Sequence, residues 1–344
     1  VGDVGDVCDN RPEWIKSVNP KSIYIPQRGD VVAYFYKGHR TFVERSTIEF
    51  VDSKLVKDLS KKSNISALPY NRYQLNDIEF LEIRDVKWSS GPLSYATVSC
   101  VILEYTPTDD SLYPMEPNFQ QTNKKIDISY FDIEGVCEFL VLYKRFVTGV
   151  NQSFEVDEKV VVRLDSTDFS GTIAKINPID ENSWCEFPTY LVQWDEEGQD
   201  PSDFFTWEIR KSGTPEVDCS QLTEDEKRVF DEVLTEFIEN EEYVLFHEHV
   251  DFSRYTDYLD HVPYPMCLDM MLQRVRNGFY RCKLGFKSDL DQIAINAVAY
   301  NKKNSAIAKL ASQMVSEIEV ACNNRGAQLG GGPSKKWKGK AKAF

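Results

Sequence analysis

Apolar residues in the first two thirds of the chain occur in short runs separated by polar turns. The runs are rich in β-branched and aromatic residues and lie at 30–36, 83–88, 95–105 and 139–143. Runs of this kind, bounded by Gly, Pro, Asn and Asp, are typical of β-strands. The stretch 106–123, rich in Pro, Asp and Asn, is predicted to be an exposed loop. A short helix is predicted within 51–70.

A second group of short strands is predicted between residues 159 and 209. Strands are expected at 159–164 and 190–194, and an acidic turn with Gly198 follows the latter. Residues 169–173 are expected to turn from one strand into the next, and 207–209 to close the group. Short strands with tight polar turns and no helical period favour a small curled barrel.

Near residue 220 the spacing of the apolar residues changes to that of helices. Thr223 and Glu226 have the spacing of a capping box, in which each side chain bonds the backbone N–H of the other residue. The predicted helices carry apolar stripes and lie at 229–238, 268–275, 286–299 and 307–318. Four such helices with one long connection, at 247–266, predict a helix bundle.

The charge of the chain favours basic partners over nucleic acid. The net charge is −15, although the last ten residues include Lys at 335, 336, 338, 340 and 342. An acidic protein attracts basic peptides, such as histone tails, and repels a phosphate backbone. We therefore expect weak or no direct DNA binding. The basic tail is interpreted as a solvated linker, with contact to DNA or to an acidic histone surface as the alternative.

Several classes of protein are disfavoured. No segment is apolar for long enough to span a bilayer, so no membrane partner is expected. The eight Cys form no C-x-x-C pair, which argues against a zinc ribbon or a thioredoxin-like motif. No P-loop, G-x-G-x-x-G, G-x-S-x-G or H-E-x-x-H motif occurs, so no enzyme class is indicated. The acidic start, which lacks Met, does not resemble a signal peptide and is interpreted as the start of a fragment.

The connection at 247–266 carries the candidate chemistry. It is aromatic and acidic, with Val250, Tyr255, Tyr258 and Tyr264 beside Glu248, Asp251, Asp257 and Asp260. Pro263 and Pro265 stiffen its end. Asn301 lies near the end of the buried helix, and its amide is expected to face the connection. An apolar slot with one fixed polar group is typical of a small-ligand site.

These residues resemble a bromodomain in order and spacing. The resemblance rests on Phe246, Val250, Asp257-Tyr258, Pro265-Met266, Leu268, Asn296-Ala297, Tyr300-Asn301 and Ile307. It implies a left-handed four-helix bundle that binds acetylated lysine. Asn301 would donate its amide to the acetyl carbonyl, and Tyr258 would hold that carbonyl through a water. The rest of the slot would be formed by Phe246 at its base and by Val250, Tyr255, Tyr300 and Ile307.

Two positions depart from the bromodomain pattern. Val244-Leu245 replace the usual Trp-Pro, so the apolar shelf beside the slot is less aromatic. Cys267 replaces an Asp that usually caps the following helix.

Selectivity for the acetylated form of lysine would follow from desolvation, because an unmodified Lys would have to bury an ammonium beside an amide donor.

The earlier residues resemble the divergent Tudor region of the bromodomain and WD-repeat family. The resemblance rests on 25–30, 36–40, 138–143 and 192–195. It implies that the chain is part of a larger WD-repeat protein that associates with histone tails, including methylated histone H3 lysine 4.

A methyl-lysine site needs two or more ring faces around one point, often with a carboxylate. By their position in a Tudor barrel, Phe169, Trp194 and Glu197 would form it. The aromatic residues expected near 162–163 and at Gln199 are replaced. In the alternative interpretation Phe169 and Trp194 are core residues, as is expected of Trp207.

The predicted fold class is multi-domain. It comprises an irregular segment at 1–20, an all-β Tudor-like barrel region at 21–212, an all-α left-handed four-helix bromodomain at 213–324, and a Gly-rich and Lys-rich tail at 325–344. The predicted function is that of a nuclear chromatin reader that is not an enzyme and needs no cofactor or metal. Two alternatives remain: an interaction scaffold that does not bind acetyl-lysine, and a metal-dependent enzyme using His247, His249 and His261.

Overall fold

The computed structural model describes residues 16–19, 24–49, 68–89, 95–105, 113–130, 138–164, 167–179 and 185–329. Its first sheet has five antiparallel strands, which are Val31–Phe35 (β1), Ile78–Ser89 (β2), Tyr95–Glu104 (β3), Gln120–Tyr130 (β4) and Leu140–Leu142 (β5). Their order across the sheet is β4-β3-β2-β1-β5. The strands predicted at 30–36, 83–88, 95–105 and 139–143 are confirmed.

Among the described residues, the helices beside this sheet are Tyr36–Glu49 (α1), Pro69–Arg72 (α2) and Tyr143–Val150 (α3). The apolar pattern predicts neither α1 nor α3, because each continues directly from a strand whose apolar run extends into the helix. The predicted loop at 106–123 is wrong at its end, where Gln120 begins β4, and 106–112 lie outside the described residues. Most of the short helix predicted within 51–70 also lies outside them.

The second sheet is also antiparallel. Its strands are Lys159–Leu164 (β6), Thr167–Asn177 (β7), Thr189–Trp194 (β8), Ser202–Phe205 (β9) and Ile209–Lys211 (β10), in the order β10-β6-β7-β8-β9. Residues 169–173 lie inside β7 and do not form the predicted turn. A Cβ at Gly171 would lie 2.5 Å from Val192 Cγ1, so glycine lets β7 and β8 approach closely. The register of β7 with β8 shifts between Ile173 and Lys175, an irregularity of the kind that bends a strand.

Trp207 joins the two sheets. Its ring stacks on Phe205 of the second sheet at a centroid distance of 4.8 Å and on Phe35 of the first at 5.3 Å. The neighbouring Thr206 hydroxyl donates to the backbone carbonyl of Gly149 at 2.7 Å. Trp207 is 4% exposed, which confirms its predicted place in the core.

The last part of the described chain is helical. Its longer helices are Glu224–Glu239 (α4), Leu268–Arg276 (α6), Lys283–Asn301 (α7) and Ala306–Asn324 (α8), as predicted. The connection between α4 and α6 contains a 3-10 helix, Glu241–Phe246, and the short helix Tyr258–His261 (α5). Thr223 and Glu226 form both bonds of the predicted capping box. None of the helices among the described residues is both long and apolar enough to cross a bilayer.

The first sheet and the bundle share one continuous hydrophobic cluster. Beside it, Arg281 of the bundle forms a two-point ion pair with Asp30, with distances of 2.8 and 2.7 Å. Gln27 donates to the carbonyl of Phe279 at 2.8 Å and accepts from the backbone N–H of Arg281. Burial of these groups in hydrogen-bonded pairs fixes how the two regions dock.

Both chain ends are only partly described. Of the segment predicted to be irregular at 1–20, the structure describes 16–19, and the carbonyl of Ser17 accepts two hydrogen bonds from Arg274. The predicted tail begins later than expected, because Ala327 and Leu329 are buried and the Leu329 N–H donates to Asn323. The Lys-rich part at 330–344 lies outside the described residues.

Candidate functional site

A cavity of about 210 Å³ lies between the connection 247–266 and the facing ends of α7 and α8. We refer to it as the Asn301 cavity. All seven residues predicted to bind acetyl-lysine contribute to its wall: Phe246, Val250, Tyr255, Tyr258, Tyr300, Asn301 and Ile307. The structure therefore brings together residues that are separated along the chain by the whole of α6 and α7.

Asn301 lies at the mouth of this cavity because α7 ends there. The next residue, Lys302, has a φ of 68°, a left-handed conformation that interrupts the helix. The amide of Asn301 donates to the carbonyl of Ala297, one turn earlier, at 3.3 Å. A side-chain amide has two N–H donors. A ligand can therefore accept a hydrogen bond from Asn301 while this long bond stays or breaks at little cost.

The connection is shaped by a turn around Asp251. The carboxylate of Asp251 accepts from the backbone N–H and the hydroxyl of Ser253, at 2.9 and 2.6 Å. These bonds hold the pKa of the Asp251 carboxyl below its usual range. The carbonyl of Asp251 then accepts from the N–H of Tyr255, whose own carbonyl accepts from Tyr258 at 3.0 Å. This series of turns brings both tyrosines to the cavity.

Tyr300 ties the connection to α7. Its hydroxyl donates to the Asp257 carboxylate at 2.9 Å, and this bond raises the pKa of Tyr300. Its ring meets the edge of the Tyr258 ring at a centroid distance of 5.0 Å and that of Tyr255 at 6.2 Å. Tyr258 is 7% exposed and Tyr255 is 39% exposed. One ring therefore forms the interior of the cavity, and the other its rim.

Asn296 has a role in the cavity wall that the spacing alone does not reveal. It is 3% exposed, and its amide donates to the backbone carbonyl of Tyr264 at 2.8 Å. Its own carbonyl accepts from Gln292 at 2.7 Å. The bond to Tyr264 fastens the end of the connection to α7. The apolar floor beside it is completed by Met266, Ile293 and Ala297.

Comparisons with known proteins give two matching families. Residues 22–217 match the model of the BRWD/PHIP ancillary domain-like domain, and residues 230–313 match that of the bromodomain. The first match covers more than half of the 344 residues. The chain belongs to the BRWD/PHIP ancillary domain-like family. The predicted family is confirmed, as is the fold class of a β-rich region followed by a helical bromodomain.

Individual relatives cover smaller parts of this family member. A bromodomain and WD repeat-containing protein of Dictyostelium discoideum is 35% identical over 77 residues, which is 22% of this chain and 4% of the relative. The chain therefore matches a small part of that relative's length. Among solved structures, the bromodomain of human BAZ1A is 20% identical with a TM-score of 0.27, covering 29% of this chain and 92% of that one.

The two positions that depart from the bromodomain pattern have structural consequences. Val244 and Leu245 are 60% and 58% exposed, so the shelf beside the bromodomain cavity is apolar and lacks an aromatic ring. Cys267 precedes α6 and makes no capping hydrogen bond through its side chain. The carbonyl of His247 accepts the N–H of Asp269 at 2.9 Å, which satisfies one of the first donors of that helix.

Acidic and basic side chains are unevenly distributed around the mouth of the Asn301 cavity. The connection presents four exposed carboxylates, at Glu248, Asp251, Asp257 and Asp260. Lys302 and Lys303, directly after Asn301 at the end of α7, are also exposed. The connection side of the mouth is therefore acidic.

Two of the three residues predicted to bind methyl-lysine lie in the second sheet of the ancillary region. Phe169 of β7 and Trp194 of β8 meet edge to face at a centroid distance of 6.2 Å. Trp194 is 8% exposed, its ring also meets Phe204, and its indole N–H donates to the carbonyl of Asp200. Glu197 lies exposed in the turn after β8. Trp194 is thus part of the core of this sheet, as the alternative interpretation expects.

The histidines of the metal-site alternative do not gather around one point. His249 lines the Asn301 cavity, whereas His261 lies on α5 with its Nε2 3.8 Å from an Asp257 oxygen. The Nε2 atom of His247 is buried, and none of the residues that the structure describes forms a hydrogen bond with it. Within the described parts of the chain, no group of three His, Cys, Asp or Glu side chains has the arrangement to hold a metal ion.

Proposed function

We propose that the bromodomain of this chain binds acetylated lysine in histone tails. The observation that carries the proposal is the position of Asn301, whose amide lies at the mouth of a largely apolar cavity with Tyr258 inside it. The coarser conclusion, that the chain has a role in chromatin reading, is supported by the bromodomain match itself. The proposal adds the ligand and the residues that bind it.

Selectivity for the acetylated form follows from the polarity of the cavity. Acetylation converts a cationic ammonium into a neutral amide on an apolar stem. The neutral amide can accept a hydrogen bond from Asn301 and bury its methyl group against apolar side chains such as Val250 and Ile307. An ammonium in the same place would lose its hydration beside a hydrogen-bond donor, which is costly.

The charge around the mouth supports a basic peptide as the carrier of that lysine. Exposed carboxylates on the connection lie next to the cavity, and the whole chain carries a net charge of −15. Opposite charges accelerate encounter and fix the orientation of a bound peptide more than they add affinity. A histone tail, which is basic beyond its modified lysine, has the required chemistry.

The proposal describes a binding protein without catalytic activity, cofactor or metal. The bromodomain and its family are chromatin-associated, and we propose a nuclear location on that basis. Membership of a larger WD-repeat protein is likewise proposed, because the Dictyostelium relative carries that description.

A second candidate function is binding of methylated lysine by the ancillary region. The observation in its favour is that Phe169 and Trp194 lie together on neighbouring strands, with an exposed carboxylate at Glu197. A methylammonium could contact the ring of Phe169, whereas Trp194 would have to become more exposed. If the site operates, Phe169→Ala abolishes the preference for trimethylated over unmodified H3 peptide. Unchanged preference would reject the assignment.

The main proposal is tested with an array of acetylated, methylated and unmodified histone peptides. Wild type is compared with Asn301→Ala and with Asn304→Ala, which changes an exposed Asn in the loop directly after α7. We expect acetyl-dependent binding by wild type and Asn304→Ala and its loss in Asn301→Ala. Equal binding by all three would support another site, and no acetyl-dependent binding by wild type would favour the scaffold alternative.

A further inference from the structure

The end of the connection 247–266 packs against the ancillary region. The indole of Trp88, at the end of β2, stacks on the ring of Tyr264 with a centroid distance of 4.3 Å and an interplanar angle of 11°. Tyr264 is 3% exposed, and Trp88 is half-buried. A side chain of the first sheet therefore covers a ring face that belongs to the connection.

Tyr264 is held at both of its ends. Its hydroxyl accepts from Arg274 at 2.5 Å and donates to Asp289 at 3.3 Å. Its backbone carbonyl accepts from the amide of Asn296 at 2.8 Å. Arg274 and Asp289 are themselves paired at 2.6 Å in the interior of the bundle. These bonds fix the hydroxyl and the backbone, whereas the stack on Trp88 covers the face of the ring between them.

The contact between Trp88 and Tyr264 is connected to the Asn301 cavity through residues that bond Tyr264 or lie near it in the chain. Asn296, which bonds the carbonyl of Tyr264, contributes to the cavity wall, as does Met266 two residues further along the chain. Tyr258 contributes from the other direction along the connection. A shift of Tyr264 would therefore move both the polar and the apolar parts of that wall.

We propose that Trp88 of the ancillary region is a positioning residue for the Asn301 cavity. By stacking on Tyr264 it holds the connection in the conformation in which the wall of the cavity is complete. Its effect on acetyl-lysine affinity rests on the proposed function, whereas its effect on the connection does not. The ancillary region thus acts on the bromodomain cavity without touching the ligand.

The physical reason is the irregular structure of the connection. Apart from the short helix α5, the connection lacks the repeated backbone hydrogen bonds that order a helix or strand. Its order depends on side-chain contacts that offset the loss of conformational entropy. If the competent conformation is populated in only part of the molecules, the measured affinity falls by that fraction.

The test compares Trp88→Ala with Trp88→Phe, which restores a stacking ring, and with Ile128→Ala as a control. Ile128 is buried in β4, on the opposite edge of the sheet from β5, and Ile128→Ala opens a cavity in the sheet two strands away from β2. The Arg281–Asp30 pair lies elsewhere in the interface, so Trp88→Ala is expected to leave the two regions docked. Hydrogen exchange of the segment 255–266 in the free protein and Kd for an acetylated peptide are measured for each.

We expect faster exchange at 255–266 and a three- to tenfold higher Kd in Trp88→Ala, which corresponds to about a third to a tenth of the molecules remaining competent. Trp88→Phe should recover most of both effects, and Ile128→Ala should show neither. Unchanged exchange in Trp88→Ala, or equal changes in Ile128→Ala, would overturn the proposal. If wild type binds no acetylated peptide, the proposed function fails, and the exchange measurement still decides the role of Trp88.

Discussion

The substitution Asn301→Asp tests the proposed binding site most directly. It keeps the shape of the side chain but replaces both N–H donors with a carboxylate oxygen. An acetyl carbonyl in the cavity would then be desolvated without a donor, and a further acceptor would face it. We expect affinity for an acetylated histone peptide to fall sharply while the fold is retained.

The magnitude follows from the hydrogen bond that is lost. Leaving one buried carbonyl unsatisfied costs about 1–3 kcal/mol, which corresponds to about a 5- to 150-fold higher Kd. The amide's bond to Ala297 in the free protein is long, at 3.3 Å. It is therefore weak, and giving it up on binding subtracts little from this value.

Isothermal titration calorimetry with acetylated and unmodified forms of one peptide is the suitable assay. The matched control is Asn304→Asp, which adds the same charge at an exposed position of the loop after α7. A new carboxylate near the end of a helix opposes the helix dipole, so both variants can lose a little stability. If Asn301→Asp binds within twofold of Asn304→Asp, the amide is not the acetyl-lysine donor.

Three further predictions concern the stability of the fold. Asp30→Asn removes the buried carboxylate and leaves the half-buried Arg281 guanidinium without its counter-charge, which is expected to cost about 3–5 kcal/mol. A loss below about 1 kcal/mol in urea unfolding would contradict this. Burial lowers the pKa of His39 to about 3. Below pH 6.5 His39 therefore binds a proton in the unfolded chain but not in the folded protein, and the fold loses stability. Between pH 7 and pH 5, the free energy of unfolding of the wild type should fall by about 2 kcal/mol relative to that of His39→Phe. Cys267→Ser supplies the missing cap of α6 and should raise the free energy of unfolding by about 1 kcal/mol, whereas a decrease would show that the site does not tolerate a hydroxyl.

The sequence was most informative where the determinants are local. The capping box at Thr223 locates the start of α4 to within a residue. The seven cavity residues could be chosen because the spacing of a bromodomain ties them to fixed positions on the helices and the connection.

Prediction was less successful where the environment decides the structure. The first half of β4 is polar and largely exposed, so nothing in its pattern distinguishes Gln120 from the loop before it. The helix α1 begins directly after β1, and its first residue, Tyr36, continues the aromatic run of the strand. Trp88 and Tyr264 lie in different regions of the chain, and no local pattern indicates that their rings stack.

The hydrophobic cluster shared by the first sheet and the bundle has a thermodynamic consequence. The ancillary region and the bromodomain match different family models, but in this chain they bury each other's apolar surface. Neither region can therefore unfold without exposing apolar surface of the other. Heat should therefore melt them in a single cooperative transition, and a fragment that begins near residue 213 should have a lower Tm than the same helices in the whole chain.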